Sequence, residues 1–433
     1  MDWTITFAIL DLVLVVALIL RGAEVRLVLL AASLPLFLFT AGVVPMLDKV
    51  VAEMANSATV VPICSALGFA HVLKLTGCDQ HLVRLLLCPL RRVRWLLVPG
   101  GIAAGYVINS TIVSQTGTAA VLGPILIPLL LANEMAPEVA GAVLLIGSSM
   151  GGELFNPGAV EMRKLAQLTG LSGHEAVLRS ARLNLAACGT ALVSFWLLNA
   201  RRTIATVPID GTVEPAPEPS SARADLRKAV VPLVPLLILF ADPLLGRFSP
   251  IHAFRDPARI LAAMFLGIGC AGLTCPGAIR KLGSAFFDGA GYAYTHVISL
   301  IVAASTFAEG IRLSGLIGLM IRGLVGSPRL TLVVATVAPW ALAVASGTGI
   351  APAVSIMEFF VPVCDSMGID PVRLGTLASV GAHFGRTMSP AAAVVAMCGK
   401  LSGAPASRMI RLVAGPLALG GTVMVIAALM NGL

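Results

Sequence analysis

Two short polar tetrads, Ser114-Gln115-Thr116-Gly117 and Ser346-Gly347-Thr348-Gly349, interrupt otherwise apolar stretches of this chain. Hydroxyl and amide groups beside glycine can donate to a carboxylate or lend oxygens to Na⁺, and glycine lets a ligand approach the backbone closely. Thr118 adds another hydroxyl just past the first copy. A second pair of interruptions follows: Met150-Gly151-Gly152-Glu153-Leu154-Phe155-Asn156-Pro157, and His383-Phe384-Gly385-Arg386-Thr387-Met388-Ser389-Pro390. In lipid, backbone that leaves a helix must be buried in protein or line a cavity. Matching interruptions in two halves of a chain therefore point to a binding site at bilayer depth.

The chemistry available there suits a small anion. Each tetrad reads as the tip of a helical hairpin, with the second limb starting just after it. The first N–H groups of that limb have no partner in the helix, and aligned peptide dipoles add partial positive charge. Gly151, Gly152 and Gly385 are expected to unwind the facing spans. Pro157 and Pro390 then restart helices, with Asn156 and Ser389 as caps. Arg386 can hold a substrate carboxylate with two parallel hydrogen bonds, or it can form an internal pair with Glu153 or Glu358. The substrate-binding set is Ser114, Gln115, Thr116, Gly117, Thr118, Asn156, Ser346, Gly347, Thr348, Gly349, Arg386, Thr387 and Ser389. The structural alternative is close packing of transmembrane helices on small residues.

Three titratable groups are candidates for a coupling ion, H⁺ or Na⁺. Glu153 sits inside the first interruption, where a carboxylate can instead cap an exposed helix N-terminus. His383 can change charge near neutral pH, or serve as a hydrogen-bonded structural group. Glu358 can face a cavity or pair with Arg386. Oxygens of Ser114, Thr116, Ser346 and Thr348 offer places for Na⁺. No other cofactor is expected.

Composition shows what must position these groups. Apolar residues make up 57% of the chain and charged ones 12%, against roughly 25% charged in a soluble domain. Runs such as Ile5–Leu20, Leu27–Val44, Val230–Leu245 and Leu412–Met430 approach the ~20 residues that cross a bilayer. The chain reads as an all-α polytopic membrane protein. Asp2 precedes the first apolar run and Arg21 and Arg26 follow it, the reverse of a signal peptide, so that span is expected to be retained. The net charge of +8 is spread over short loops, which serves topology and gives no support to nucleic-acid binding. The 8 Cys show no CxxC or Cys/His spacing, which disfavours disulfides and zinc.

The chain divides in two. Residues 201–228, with Pro208, Pro215, Pro217 and Pro219, read as a cytoplasmic linker between residues 1–200 and 229–433. Phe69-Ala70-His71-Val72-Leu73-Lys74-Leu75-Thr76-Gly77 matches Phe307-Ala308-Glu309-Gly310-Ile311-Arg312-Leu313-Ser314-Gly315. The tetrads and then Pro128/Pro362, Pro137/Pro371, Gly141/Gly375, Gly147/Gly381 and Gly151/Gly385 follow in the same order. Collinear glycines and prolines are not explained by apolar composition, so a duplication is expected. Scaffold spans are placed at about 1–90 and 229–328, and the hairpin with its broken helix at about 95–165 and 330–400. If the hairpins re-enter, each half crosses five times and the second copy is inverted. Lys74–Arg94, the linker and Arg280-Lys281 would share the cytoplasmic side, leaving both termini outside. Arg163, Lys164, Arg179 and Arg182 count against that orientation.

The tip Ser346-Gly347-Thr348-Gly349, and Gly385-Arg386-Thr387-Met388-Ser389-Pro390 with Ala391 and Val394, resemble the DcuC-type C4-dicarboxylate carriers of the ion-transporter superfamily. That resemblance implies inverted repeats with opposed re-entrant hairpins, a scaffold that forms a homodimer, and a transport domain that moves as an elevator. It implies a secondary carrier of succinate, fumarate or malate in a bacterial inner membrane, often an exporter or exchanger. Na⁺-coupled relatives use Ser-Asn-Thr at both tips; here the central residues are Gln115 and Gly347. A carrier of amino acids or another organic anion is the alternative, and a passive channel a third reading. An intramembrane enzyme is disfavoured, because no HExxH pattern appears and no convincing nucleophile–base arrangement is visible; without a GxxxxGK[ST], no ATPase subunit is expected.

Overall fold

Inside a bilayer a helix is favoured because it satisfies every backbone group within its own segment. The computed structural model describes residues 3–21, 23–87, 94–199, 225–245, 251, 254, 256–316 and 327–430, and every regular element among them is helical. Eight helices of these are long and apolar enough to cross a membrane. The first half runs α1 (Trp3–Leu20), α2 (Val25–Thr40), α3 (Val43–Met54), α4 (Ser57–Thr76), α5 (Cys78–Leu87), α6 (Leu97–Ile112), α7 (Gln115–Ala132) and α8 (Pro137–Ser149). A 3₁₀ turn over Gly152–Phe155 leads into α9 (Val160–Thr169) and α10 (Gly173–Asn199). Residues 201–224 of the expected linker lie outside the described residues. The chain resumes at Asp225, whose carboxylate accepts from the Arg227 N–H and caps α11 (Leu226–Val230).

The second half is built likewise: α12 (Val234–Leu245), α13 (Asp256–Thr274), α14 (Ile279–Ala293), α15 (Ser299–Leu313), α16 (Pro328–Ser346), α17 (Ile350–Phe360), α18 (Pro371–Thr387), α19 (Ala393–Ser402) and α20 (Ala406–Met430). A π-helical turn over Tyr294–Ile298 joins α14 to α15. Contacts between the halves are reciprocal. α2 packs on α15 and α13 on α4, while α19 packs on α7 and α8, and α9 on α17 and α18. Left-handed glycines end corresponding helices: Gly77 and Gly315, then Gly170 and Gly403.

Both hairpins are antiparallel, as their registers show. Asn109 Nδ2 donates to Thr118 Oγ1 at 3.4 Å near the first tip, and Gly101 faces Leu126 farther along the limbs. In the second hairpin Thr331 at the base of α16 reaches Met367, just past α17. Small residues let each hairpin lie against its broken helix. A Cβ on Gly105 would stand 2.8 Å from the Gly147 backbone, and one on Gly385 would stand 2.2 Å from the Trp340 carbonyl oxygen. One large apolar core encloses the hairpins, the broken helices, α10 and α20. Two smaller ones gather around α1, α2 and α15, and around α4, α13 and α14.

Three local expectations are corrected. Gly151 unwinds the first span as expected, at φ 125, but Gly385 stays helical and the second break begins at Met388. Gly385 is small because a neighbouring backbone passes over it, not because the helix opens there. Pro157 and Pro390 do not start helices: α9 begins at Val160 and α19 at Ala393. Asn156 Oδ1 accepts from the Gly158 N–H at 2.8 Å and Ser389 Oγ from the Ala391 N–H at 3.2 Å, so each side chain closes a two-residue turn that delays the helix.

The tips also differ from one another. Ser114 is extended and caps α7 by accepting from the Gly117 N–H at 3.1 Å, so the second limb starts inside that tetrad. The left-handed residue is the preceding Val113, at φ 52. At the second tip Ser346 is still helical, Gly347 takes the left-handed turn at φ 73, and the limb starts after Gly349. Glycine takes that turn at little cost, whereas the position after Ser114 is a glutamine, which does not.

Candidate functional site

The first interruption and the end of α18 bring Glu153 and Arg386 together. Unwinding at Gly151 turns the 3₁₀ segment inward, and Asn109 Oδ1 on α6 holds it by accepting from the Glu153 N–H at 2.9 Å. Arg386 lies in the last turn of α18, where a cation is favoured by the helix C-terminus. Its Nη2 donates to Glu153 Oε1 at 3.2 Å and to the Ser149 carbonyl at 3.1 Å. His383, one turn earlier, places Nε2 at 2.5 Å from the same Glu153 oxygen. The Gln115 amide of the first tip donates to the Glu153 carboxylate. At the second tip, a Cβ on Gly349 would stand 3.3 Å from Arg386 Nη1. Both tips thus abut one buried ion pair.

Other expected residues fall into two groups. The hydroxyls of Thr116 and Thr348, both half-buried, have no internal partner among the described residues. Thr118 Oγ1 is taken by the Ser114 carbonyl, and Thr387 Oγ1 bonds the Ser149 hydroxyl and the His383 carbonyl. Ser114 and Ser346 bond within their own tips. Asn156 Nδ2 reaches back to the Ser110 carbonyl at 2.9 Å, and Ser389 is fully buried. Gly117 and Gly347 are half-buried at the tips. The open hydroxyls are therefore one per tip.

Glu358 does not meet Arg386. It pairs with Lys164 of α9 and accepts from Ser305 Oγ of α15 at 2.7 Å; Lys164 also stands 4.0 Å from Glu53 of α3. Lys164 and Arg163 were expected among the loop charges, yet both are buried, and Arg163 donates to the Ala58 carbonyl. Glu161 was missed as well. Its Oε1 lies 3.8 Å from His383 Nε2, is buried, and has no hydrogen-bond partner. Nothing local marks it, because Glu161-Met162-Arg163-Lys164 reads by itself as a solvated run of charges after a break.

Glu153, Glu161 and His383 have donor atoms close enough to surround a metal ion. The chemistry does not fit one. Arg386 already occupies the Glu153 oxygen, and a metal cation there would face a fixed positive charge. A GxSxG pattern also occurs, at Gly147-Ser148-Ser149-Met150-Gly151, but it ends a helix. Ser148 Oγ bonds the Leu144 carbonyl and Ser149 accepts from Thr387. No strand-to-helix turn exposes either hydroxyl as an esterase nucleophile requires.

A cavity of ≈ 250 Å³ lies between α1, α2 and α15 on one side and the second hairpin on the other. Its walls are apolar apart from Ser346 and Ser355, so it is no place for an anion.

Comparison with known proteins accords with this architecture. An uncharacterized transporter of Haemophilus influenzae is 34% identical over 134 residues, covering 31% of this chain and 92% of the relative. The anaerobic C4-dicarboxylate transporter DcuC of Escherichia coli K12 is 28% identical over 144 residues, a match spanning only 31% of that transporter and 33% of this chain. A Vibrio cholerae protein named as a probable anaerobic C4-dicarboxylate transporter DcuC is 22% identical over 377 residues, covering 84% of this chain and 79% of that protein. Among solved structures, Neisseria gonorrhoeae MtrF, described within a class of antimetabolite efflux pumps, superposes with a TM-score of 0.64 at 13% identity. That superposition covers 99% of this chain and 96% of MtrF. The Alcanivorax borkumensis YdaH transporter gives 0.61 at 15% identity, covering 95% and 97%. Family and fold are those of transporters, not enzymes. The model of the C4-dicarboxylate anaerobic carrier family DcuC matches residues 49–432, and the chain belongs to that family.

Proposed function

We propose that the protein is a secondary active transporter that carries a small dicarboxylate, of the kind of succinate, fumarate or malate, across the bacterial inner membrane. The observation that supports this most is the convergence of both tips on the Glu153–Arg386 pair. A substrate carboxylate that displaces Glu153 meets a guanidinium able to make two parallel hydrogen bonds. Thr116 and Thr348 then offer one free hydroxyl from each tip, beside first-turn N–H groups that no helix satisfies. Family membership supports the C4 class.

In this reading the two halves are inverted repeats. The hairpins and broken helices move as an elevator against α1–α4 and α12–α15, which dimerise. Both termini face outward and residues 201–228 face the cytoplasm. Burial of Arg163 and Lys164 supports that orientation, because it removes two of the charges that opposed it. Na⁺ at Ser114, Thr116, Ser346 and Thr348 is the alternative to a proton as driving ion.

The test uses the purified full chain in liposomes. Labelled succinate should exchange against internal succinate, saturate with concentration, and be blocked by fumarate or malate. Counterflow of an amino acid with no dicarboxylate response would assign the alternative substrate class. A non-saturating ohmic current would make the protein a channel.

A further inference from the structure

The hydrogen bonding of His383 fixes the position of a proton. Its Nδ1 lies 2.7 Å from the Ser379 carbonyl oxygen, which can only accept, so Nδ1 carries a hydrogen. The other nitrogen, Nε2, lies 2.5 Å from Glu153 Oε1. Two bare acceptors do not approach in this way, so one proton sits between them: on an imidazolium facing a carboxylate, or on a carboxylic acid facing neutral imidazole. The charged groups that face His383 are Glu153 from the 3₁₀ turn, Glu161 from α9, and Arg386 from its own helix. Lys164, one turn beyond Glu161, points instead to Glu358.

Charge balance then limits what this cluster can do. With the one shared proton, Glu153, Glu161, Arg386 and His383 sum to zero, which suits a site whose members are all at most 4% exposed. A substrate carboxylate on Arg386 would add one negative charge. We infer that the protein couples transport to protons through Glu153, His383 and Glu161: a proton taken up by Glu153 releases Arg386 to the substrate. This inference rests on the reading that Arg386 binds a substrate carboxylate.

The shared proton ends on Glu153 Oε1, and the carboxylic acid formed no longer competes for the guanidinium. A second proton, from water on the side where substrate enters, occupies His383 Nε2. The imidazolium then faces Glu161, whose Oε1 is buried, lacks a hydrogen-bond partner and lies 3.8 Å away. The substrate carboxylate takes the place of Glu153 on Arg386, and the cluster is neutral again. One proton therefore accompanies each carboxylate bound at Arg386. Release reverses the sequence.

The test follows protons and substrate together in liposomes holding the full chain and a pH-sensitive dye, in Na⁺-free buffer with the membrane potential clamped by K⁺ and valinomycin. Succinate added outside should acidify the interior as it enters, and an inward proton gradient should accelerate its uptake. Glu161→Gln should lower gradient-driven uptake about tenfold and flatten its pH profile, the scale of one opposite charge removed from beside the imidazolium. The wild-type measurement alone decides the matter if that variant does not fold. Succinate uptake with no lumenal pH change, or driven by Na⁺ alone, overturns proton coupling and leaves the transport reading intact. Loss of uptake in EDTA with recovery in Zn²⁺ overturns it in favour of a metal centre. Absence of succinate counterflow under any condition removes the transport reading itself.

Discussion

Lys164 and Glu358 form an ion pair between α9 and α17, two short helices from opposite halves of the chain, with Ser305 of α15 bonded to both partners. Both side chains are largely buried, and Lys164 also lies 4.0 Å from Glu53. Taking one partner away leaves a buried carboxylate without compensation. Lys164→Ala should therefore destabilise the protein by about 3 kcal/mol, whereas the apolar double variant Lys164→Met/Glu358→Leu should recover most of that loss. Thermal unfolding of the purified single and double variants checks this; equal midpoints for the single variant and wild type would contradict it.

Transport should depend on the open donors. Thr348→Ala and Thr116→Ala each remove one hydroxyl per tip, and Arg386→Ala removes the guanidinium. Hydrogen bonds to a charged group contribute about 1.5–3 kcal/mol, which corresponds to a tenfold to hundredfold weaker apparent affinity for each variant at normal expression. Arg386→Lys should not rescue, because an ammonium lacks the planar fork. Thr118→Ser should be nearly silent, since that hydroxyl already bonds the Ser114 carbonyl. Concentration-dependent succinate counterflow distinguishes these cases.

Val113 is a β-branched residue held at φ 52. A left-handed conformation costs an L-residue roughly 1–2 kcal/mol. Val113→Gly should raise the midpoint of thermal unfolding, because that strain exceeds the roughly 0.5–1 kcal/mol of freedom glycine adds to the unfolded chain. The mirror experiment is harsher. A Cβ on Gly347 would stand 2.8 Å from the Ala391 backbone, at φ 73. Gly347→Val should lose folded protein on size-exclusion chromatography.

Asp79 opens α5, outside the eight candidate spans, and burial pushes its carboxyl up to about 6 from an ordinary 3.8. The folded protein thus holds a proton that the unfolded chain has released, and stability falls as pH rises from about 4 through about 6. Asp79→Asn should be stabilising at neutral pH, by at most about 3 kcal/mol. It should have no effect at about pH 4. Unfolding midpoints measured across that range decide the point.

The helical membrane architecture, the two hairpins and the first break could be read from the residues, because apolar run length, Gly and Pro act locally. What escaped depends on tertiary partners. Arg386 had a substrate role and an ion-pair role open to it, and only the fold shows Glu153 within 3.2 Å. Lys164 looked like a loop charge, because nothing local reveals Glu53 and Glu358 arriving from distant helices. Glu161 was passed over for the same reason. The tetrads misled in a different way. Their likeness in sequence concealed that one central residue is glutamine and the other glycine, and that difference moves the turn.

Because one tip bends at a valine ahead of its serine and the other at a glycine behind it, the donors the two tips bring to the central ion pair are not mirror copies. A substrate bound there, as proposed, would meet a different pattern of groups at each end. Even a symmetric diacid would lie in an asymmetric environment, and a hydroxylated one would be distinguished by handedness, so L- and D-malate should not compete equally.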